Sequence, residues 1–173
     1  MKVSVLMLVV LAGTANTVTR AGDLFERKSG LWKITMHGPA AASTHTADQC
    51  LASDTDARLA RKEMATLRAL CSKIENRKVG KTFVTDSVCK IGAHASTSHT
   101  VTTPDGDGAY QTVVATHDDT AAKADKPDQV FTQDGHWEGD CPASMKPGDQ
   151  ILHVGPQMPG GMKTNLLDSS PAG

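Results

Sequence analysis

Four cysteines, Cys50, Cys71, Cys89 and Cys141, constrain this chain more than any other feature. No two of them stand at the Cys-x-x-Cys spacing of a redox pair or a zinc knuckle, so those two roles lose their main support. Whether they pair depends on the compartment. Lys2 supplies a short positive region, Val3 to Ala12 form an apolar run, and small residues follow at Gly13, Ala15, Thr19 and Ala21. That order predicts a secretory signal peptide over residues 1–21, cleaved after Ala15 or Ala21, because the run is too short to span a bilayer. No cysteine lies near either cleavage point and no later stretch reaches spanning length, so no membrane anchor is expected in the mature chain. The expected location is the periplasm or the medium, where an even cysteine count reads as a disulfide framework with three possible pairings.

The pairing can be narrowed. Positions 71 and 89 are symmetric about Gly80, a candidate turn. Opposed residues of a hairpin have Cα atoms about 4.5 to 5.5 Å apart, within disulfide reach. This favours Cys71–Cys89 and leaves Cys50–Cys141, but a bulge at Gly80 would shift the opposition by one residue.

Removal of residues 1–21 takes away Lys2 and Arg20 and no acid, so the formal net charge goes from −1 to −3. A mildly acidic chain lacks the basic surface that nucleic acid or anionic lipid requires. Two Trp, one Tyr and three Phe are too few for a broad stacking platform for sugars or bases.

Trp32, Ile34 and Met36 alternate with Lys33, Thr35 and His37, which predicts a half-buried strand. A second strand is expected to arrive at Cys50. Ser53 and Asp54 read as a helix start with Asp56 in its first turn, and Ala57, Ala60, Met64, Leu67 and Cys71 continue as one apolar stripe, expected to be buried. Hairpins follow around Gly80 and around Asp105–Gly108, then a polar connection and a short strand ending near Trp137. The fold class is thus α+β: an antiparallel curved β-sheet of about six strands in a hairpin meander, carrying one amphipathic helix. Residues 22–152 are expected to make one exported domain, with 153–173 a flexible Gly/Pro-rich tail.

The search for chemistry is mostly negative. His94, His99 and His117 are candidates for a Zn²⁺ or Cu²⁺ site across the second hairpin, with His94 and His117 near the same end. No His-Glu-x-x-His or carboxylate cluster supports them. The Asp105–Gly108 run lacks the spaced ligands of a calcium loop and fits a turn. No P-loop, Gly-x-Ser-x-Gly or dinucleotide motif is present, and the glutamates Glu26, Glu63, Glu75 and Glu138 are scattered. No cofactor and no catalytic residue is expected, and a hydrolase would need a site without sequence signal. The first reading is a non-enzymatic domain binding a partner or small ligand; a metal-binding protein is the alternative. The partner is not indicated.

The stretch Gly135–Asp149, "GHWEGDCPASMKPGD", reads as a staple and cap: Cys-Pro fixes the backbone, Pro-Gly-Asp turns it, and Trp137 is placed to cover the bridge. Gly30, Leu31 and Trp32 near the start, with Gly139, Cys141, Pro142, Pro147, Gly148 and Asp149 near the end, resemble an exported bacterial family, domain of unknown function 3617. The resemblance runs over about residues 28–150 and departs in placing Asp140 between Gly139 and Cys141. It implies export and a scaffold, and brings no activity.

Overall fold

A computed structural model describes residues 24–39, 44–119, 127–154 and 160–168. The expected signal peptide lies outside the described residues. The elements are β1 (Gly30–His37), β2 (Thr44–Leu51), α1 (Thr55–Leu70), β3 (Cys71–Val79), β4 (Thr82–Ile91), β5 (His94–Asp105), β6 (Ala109–Asp118), β7 (Gln129–Gly139), β8 (Asp149–His153) and β9 (Met162–Asn165). All nine strands form one antiparallel sheet in the order β3-β4-β5-β6-β7-β1-β2-β8-β9.

The sheet therefore has nine strands rather than about six. Two of the additional strands extend it beyond β2. Within the stretch expected as a flexible tail, Met162–Asn165 pairs with β8 as β9. Its polar sequence carries little strand signal; Asn165 Nδ2 instead donates to Asp149 Oδ1 at 2.9 Å, and Lys163 Nζ to the Ser144 carbonyl at 2.7 Å. These are long-range ties that a local pattern does not show.

One sheet face carries the core and the helix. Trp32, Leu51 and Tyr110 form the buried centre, joined by Phe25 and Leu59. Phe25 bridges Tyr110 and Phe83 with ring centroids 5.1 and 5.7 Å away. Gly135, opposite Tyr110 on β7, makes this packing possible, because a Cβ there would stand 2.0 Å from the Tyr110 ring. The buried centre sits at the β1–β2–β6–β7 end and reaches β4 through Phe83; beyond Phe83 the β3–β5 end of the same face is left open under α1.

Helix α1 begins with Asp54 as N-cap, but the Asp54 side chain makes no capping bond. The buried Thr55 hydroxyl accepts from the Ala52 N–H at 2.8 Å instead and closes the turn. Asp56, in the first turn, suits the positive end of the helix dipole. Among the described residues no helix is long and apolar enough to cross a membrane.

Two disulfides hold the sheet, Cys50–Cys141 and Cys71–Cys89. With few fully buried apolar side chains, bridges that restrict the unfolded chain weigh heavily in the stability of such a domain.

Candidate functional site

The site begins with a mismatch between two walls. On α1 the stripe Ala60, Met64 and Leu67 points at the sheet, as its spacing requires. The strands beneath it answer only in part with apolar side chains. On β4 and β5 the inner face carries a run of hydroxyls, Thr85, Ser87, Ser96, Ser98, Thr100 and Thr102, with Thr112 next to them on β6, and apolar groups only towards the two ends of β4, at Phe83, Cys89 and Ile91. A cavity of about 570 Å³ lies between the helix stripe and this wall. The stripe expected to be buried is thus only half-buried: Met64 and Leu67 line a cavity rather than a filled core.

The hydroxyl wall is partly self-satisfied. Thr102 and Thr112 share a bond of 2.9 Å, Ser98 and Thr116 one of 3.0 Å, and Thr85 donates to Asn76 Oδ1 at 2.7 Å. A hydroxyl has one proton and two lone pairs, so each of the two hydroxyl pairs keeps one proton and several lone pairs for another partner, while Thr85 keeps lone pairs only.

The cavity floor is the Arg27 network. Arg27 donates to both carboxylate oxygens of Asp56 and to Gln49 Oε1 at 2.8 Å, and Gln133 Nε2 donates to the Tyr110 hydroxyl at 2.7 Å. Burial pulls the Arg27 pKa down, but the hydrogen bonds and charges of Asp56 and Tyr110 together more than offset it, and the net shift is upward. Burial raises the Tyr110 pKa, only partly opposed by Arg27 and Gln133. Both groups are held in their protonated forms, so neither serves as a general base at neutral pH.

A second cavity of about 380 Å³ lies on the same face, lined by Met36, Pro39, Val114 and Phe131 with His37 and His45 at its edge. Thr112, Val114 and Gln133 belong to both cavities. Phe131 is 40% exposed at the second and Ile91 63% exposed at the first, so each has apolar surface at its margin.

The three histidines of the second hairpin stand apart from one another. Thr97, not Ser96 or Ser98, stands opposite His117, which puts His117 and His99 on the outer face. His94, an odd number of residues from both Thr97 and His99, is on the inner side. His99 Nδ1 is 2.5 Å from Asp86 Oδ1, and His117 Nδ1 is 2.9 Å from Asp128 Oδ1. The hairpin thus divides the three expected ligands between two faces, and two of them hold carboxylates of their own. Among the described residues no group of three or more His, Cys, Asp or Glu could hold a metal ion.

The residues of the opening and closing motifs do come together. Leu31 stands opposite both Cys50 and Gly139, and Cys50 is bonded to Cys141 with Cα atoms 5.5 Å apart. The Gly148 N–H donates to the Cys50 carbonyl at 2.8 Å, and the Lys146 N–H to Asp149 Oδ2 at 2.8 Å. Pro142 accepts from the Met145 N–H and the Pro147 carbonyl from Asn165. Trp137 is not the expected cover of the bridge. It pairs with Trp32, whose side chain leaves β1 on the face opposite Leu31 and Cys50. Its indole N–H donates to the Ser29 carbonyl at 2.9 Å, over Gly30, and Lys28 Nζ sits 3.8 Å from its ring centroid. Gly30, at φ +127°, has no room for a Cβ, which would meet that indole at 2.2 Å.

The sequence signal for the cavity was present but split between distant segments: an apolar helix stripe, and a β5 whose inner positions from Ser96 to Thr102 are all Ser or Thr. Neither a curated protein nor a solved structure matches the chain. The family described as "Protein of unknown function (DUF3617)" matches residues 27–141, from Arg27 of the cavity floor to Cys141 of the long bridge. The chain belongs to that family.

Proposed function

We propose that this protein is an exported, non-enzymatic binding domain of the cell envelope, whose two disulfides hold open a small-ligand site on the inner face of its sheet. The cavity under α1 carries this reading. At about 570 Å³ it falls within the range of about 300 to 1,000 Å³ common to ligand pockets. Its exposed surface is mostly apolar, with hydroxyls arrayed along one wall that can orient a ligand. Arg27 and Tyr110, both protonated and engaged with Asp56 and Gln133, offer positioning rather than proton transfer. The signal-peptide pattern and the disulfides support export.

The test is native mass spectrometry of the protein purified from producing cells, beside a Thr100→Trp variant that fills the cavity from β5. A non-covalent adduct on the parent that the variant lacks is the expected result. An adduct retained equally by both, or parent protein that takes up no small molecule under any condition, would reject the reading.

A further inference from the structure

We infer that the inner-face site takes an uncharged single-chain amphiphile, an acyl ester of a small polyol, with its tail in the smaller cavity and its polar head against the Ser/Thr wall. This rests on the proposal that the inner face is a ligand site.

Shape is the first argument. The two cavities share Thr112, Val114 and Gln133, so they adjoin along the same face as one trough with these side chains between its two parts, and a ligand that uses both is elongated. Polarity is the second, and it changes along the trough. Around Met36, Val114 and Phe131 the walls are largely apolar, suited to a hydrocarbon chain. Around Thr100 one wall is hydroxyls and the other is Met64 and Leu67, suited to a group with oxygens on one side and carbon on the other.

Charge is the third argument. Among the described lining residues of the larger cavity the ionisable side chains are Arg27, Asp56, Glu63 and Tyr110. Arg27 and Asp56 neutralise one another at 2.6 Å, and Tyr110 is protonated. Glu63, exposed at the lip, is left as the net charge of the site and is negative. No cation is free there to hold a carboxylate or phosphate head, and Glu63 repels one. Aromatic stacking of a sugar ring is not offered either, since Phe25, Phe83, Tyr110 and Trp32 are packed on each other.

The experiment is calorimetric titration of the full chain, with disulfides intact, using monolauroylglycerol, dodecanoate and glycerol, each below its aggregation concentration. Monolauroylglycerol is expected to bind one to one, dodecanoate about fivefold more weakly through the Glu63 charge, and glycerol not measurably. Glu63→Gln should remove most of the difference between the two lauroyl probes. Phe131→Ser, at an exposed position, should weaken both lauroyl probes by about tenfold or more through loss of tail contact. Dodecanoate binding as tightly as the neutral ester, or lauroyl binding indifferent to Phe131→Ser, overturns the inference. If no lauroyl probe binds but a Thr100→Trp-sensitive adduct is retained from cells, the ligand class is wrong and the binding site stands. If neither occurs, both fall.

Discussion

Arg27 and Asp56, one before β1 and the other in the first turn of α1, are locked together by three groups of the arginine. Its Nη2 lies 2.6 Å from Oδ1, its Nε 3.1 Å from both oxygens, and its backbone N–H 2.6 Å from Oδ2. The pair closes the floor of the cavity and fixes the helix to the segment that enters β1. Removal of the acid leaves a half-enclosed guanidinium without its counter-charge. Asp56→Ala should therefore cost about 3 kcal/mol in urea unfolding, and the double substitution Arg27→Met/Asp56→Leu should recover most of it. A double variant no better than the single would mean that the geometry of the pair, rather than its charge balance, holds the helix.

The two bridges should differ in weight. Cys71–Cys89 closes 18 residues and Cys50–Cys141 closes 91. Chain-entropy arguments put their contributions at about 3 and about 4.6 kcal/mol. Paired Cys→Ser variants of each bridge, compared by guanidinium unfolding, should show the greater loss for 50–141. The reverse order would point to native-state packing rather than loop closure as the main term.

Acid should act through Asp149. Its carboxylate accepts from the Lys146 N–H, from Lys163 Nζ at 2.8 Å and from Asn165 Nδ2, and these hold its pKa down at about 2, from an ordinary 3.8. A depressed folded-state pKa gives stability that is complete above the unfolded value and is lost as the pH falls. The Asp149 share should thus be intact above pH about 4 and fade towards pH 2. Asp149→Asn should lose about 1–3 kcal/mol at neutral pH and show a shallower fall over that window. Parallel pH profiles for parent and variant would contradict the assignment.

Gly135 should tolerate no side chain. The Cβ of Gly135→Ala would meet three atoms of the Tyr110 ring, which cannot retreat because Phe25 and Trp32 flank it at 5.1 and 5.6 Å. Overpacking of this kind costs about 1–3 kcal/mol. A thermal midpoint unchanged by Gly135→Ala would show that the core yields more readily than its packing implies.

Parts of this architecture can be read along the chain and parts cannot, for physical reasons. The alternation of Trp32, Ile34 and Met36 marks β1 because one face of that strand is buried. The hairpin around Gly80 is visible, but its register is not. The ladder pairs Val79 with Thr82, which by regular counting would put Lys90 opposite Cys71. An irregularity between Cys71 and Lys73 restores the opposition to Cys89, so symmetry about Gly80 names the partner through two offsets that cancel. The pairing of β7 with β1 joins segments about a hundred residues apart, and nothing local encodes it. The cavity escapes a pattern reading because an apolar stripe on a helix normally implies an apolar partner. Here the strand beneath it has Val101 on the outer face and Thr100 and Thr102 on the inner one.

The most direct measurement of the central claim is a map of amide and methyl chemical-shift changes when monolauroylglycerol is added to the isotopically labelled protein. The changes should concentrate at Met64, Leu67, Thr100, Val114 and Phe131, on both walls of the trough, and leave His99, Val101 and His117 on the outer face unmoved. Changes centred on the outer face, or none at any ligand concentration below aggregation, would contradict it.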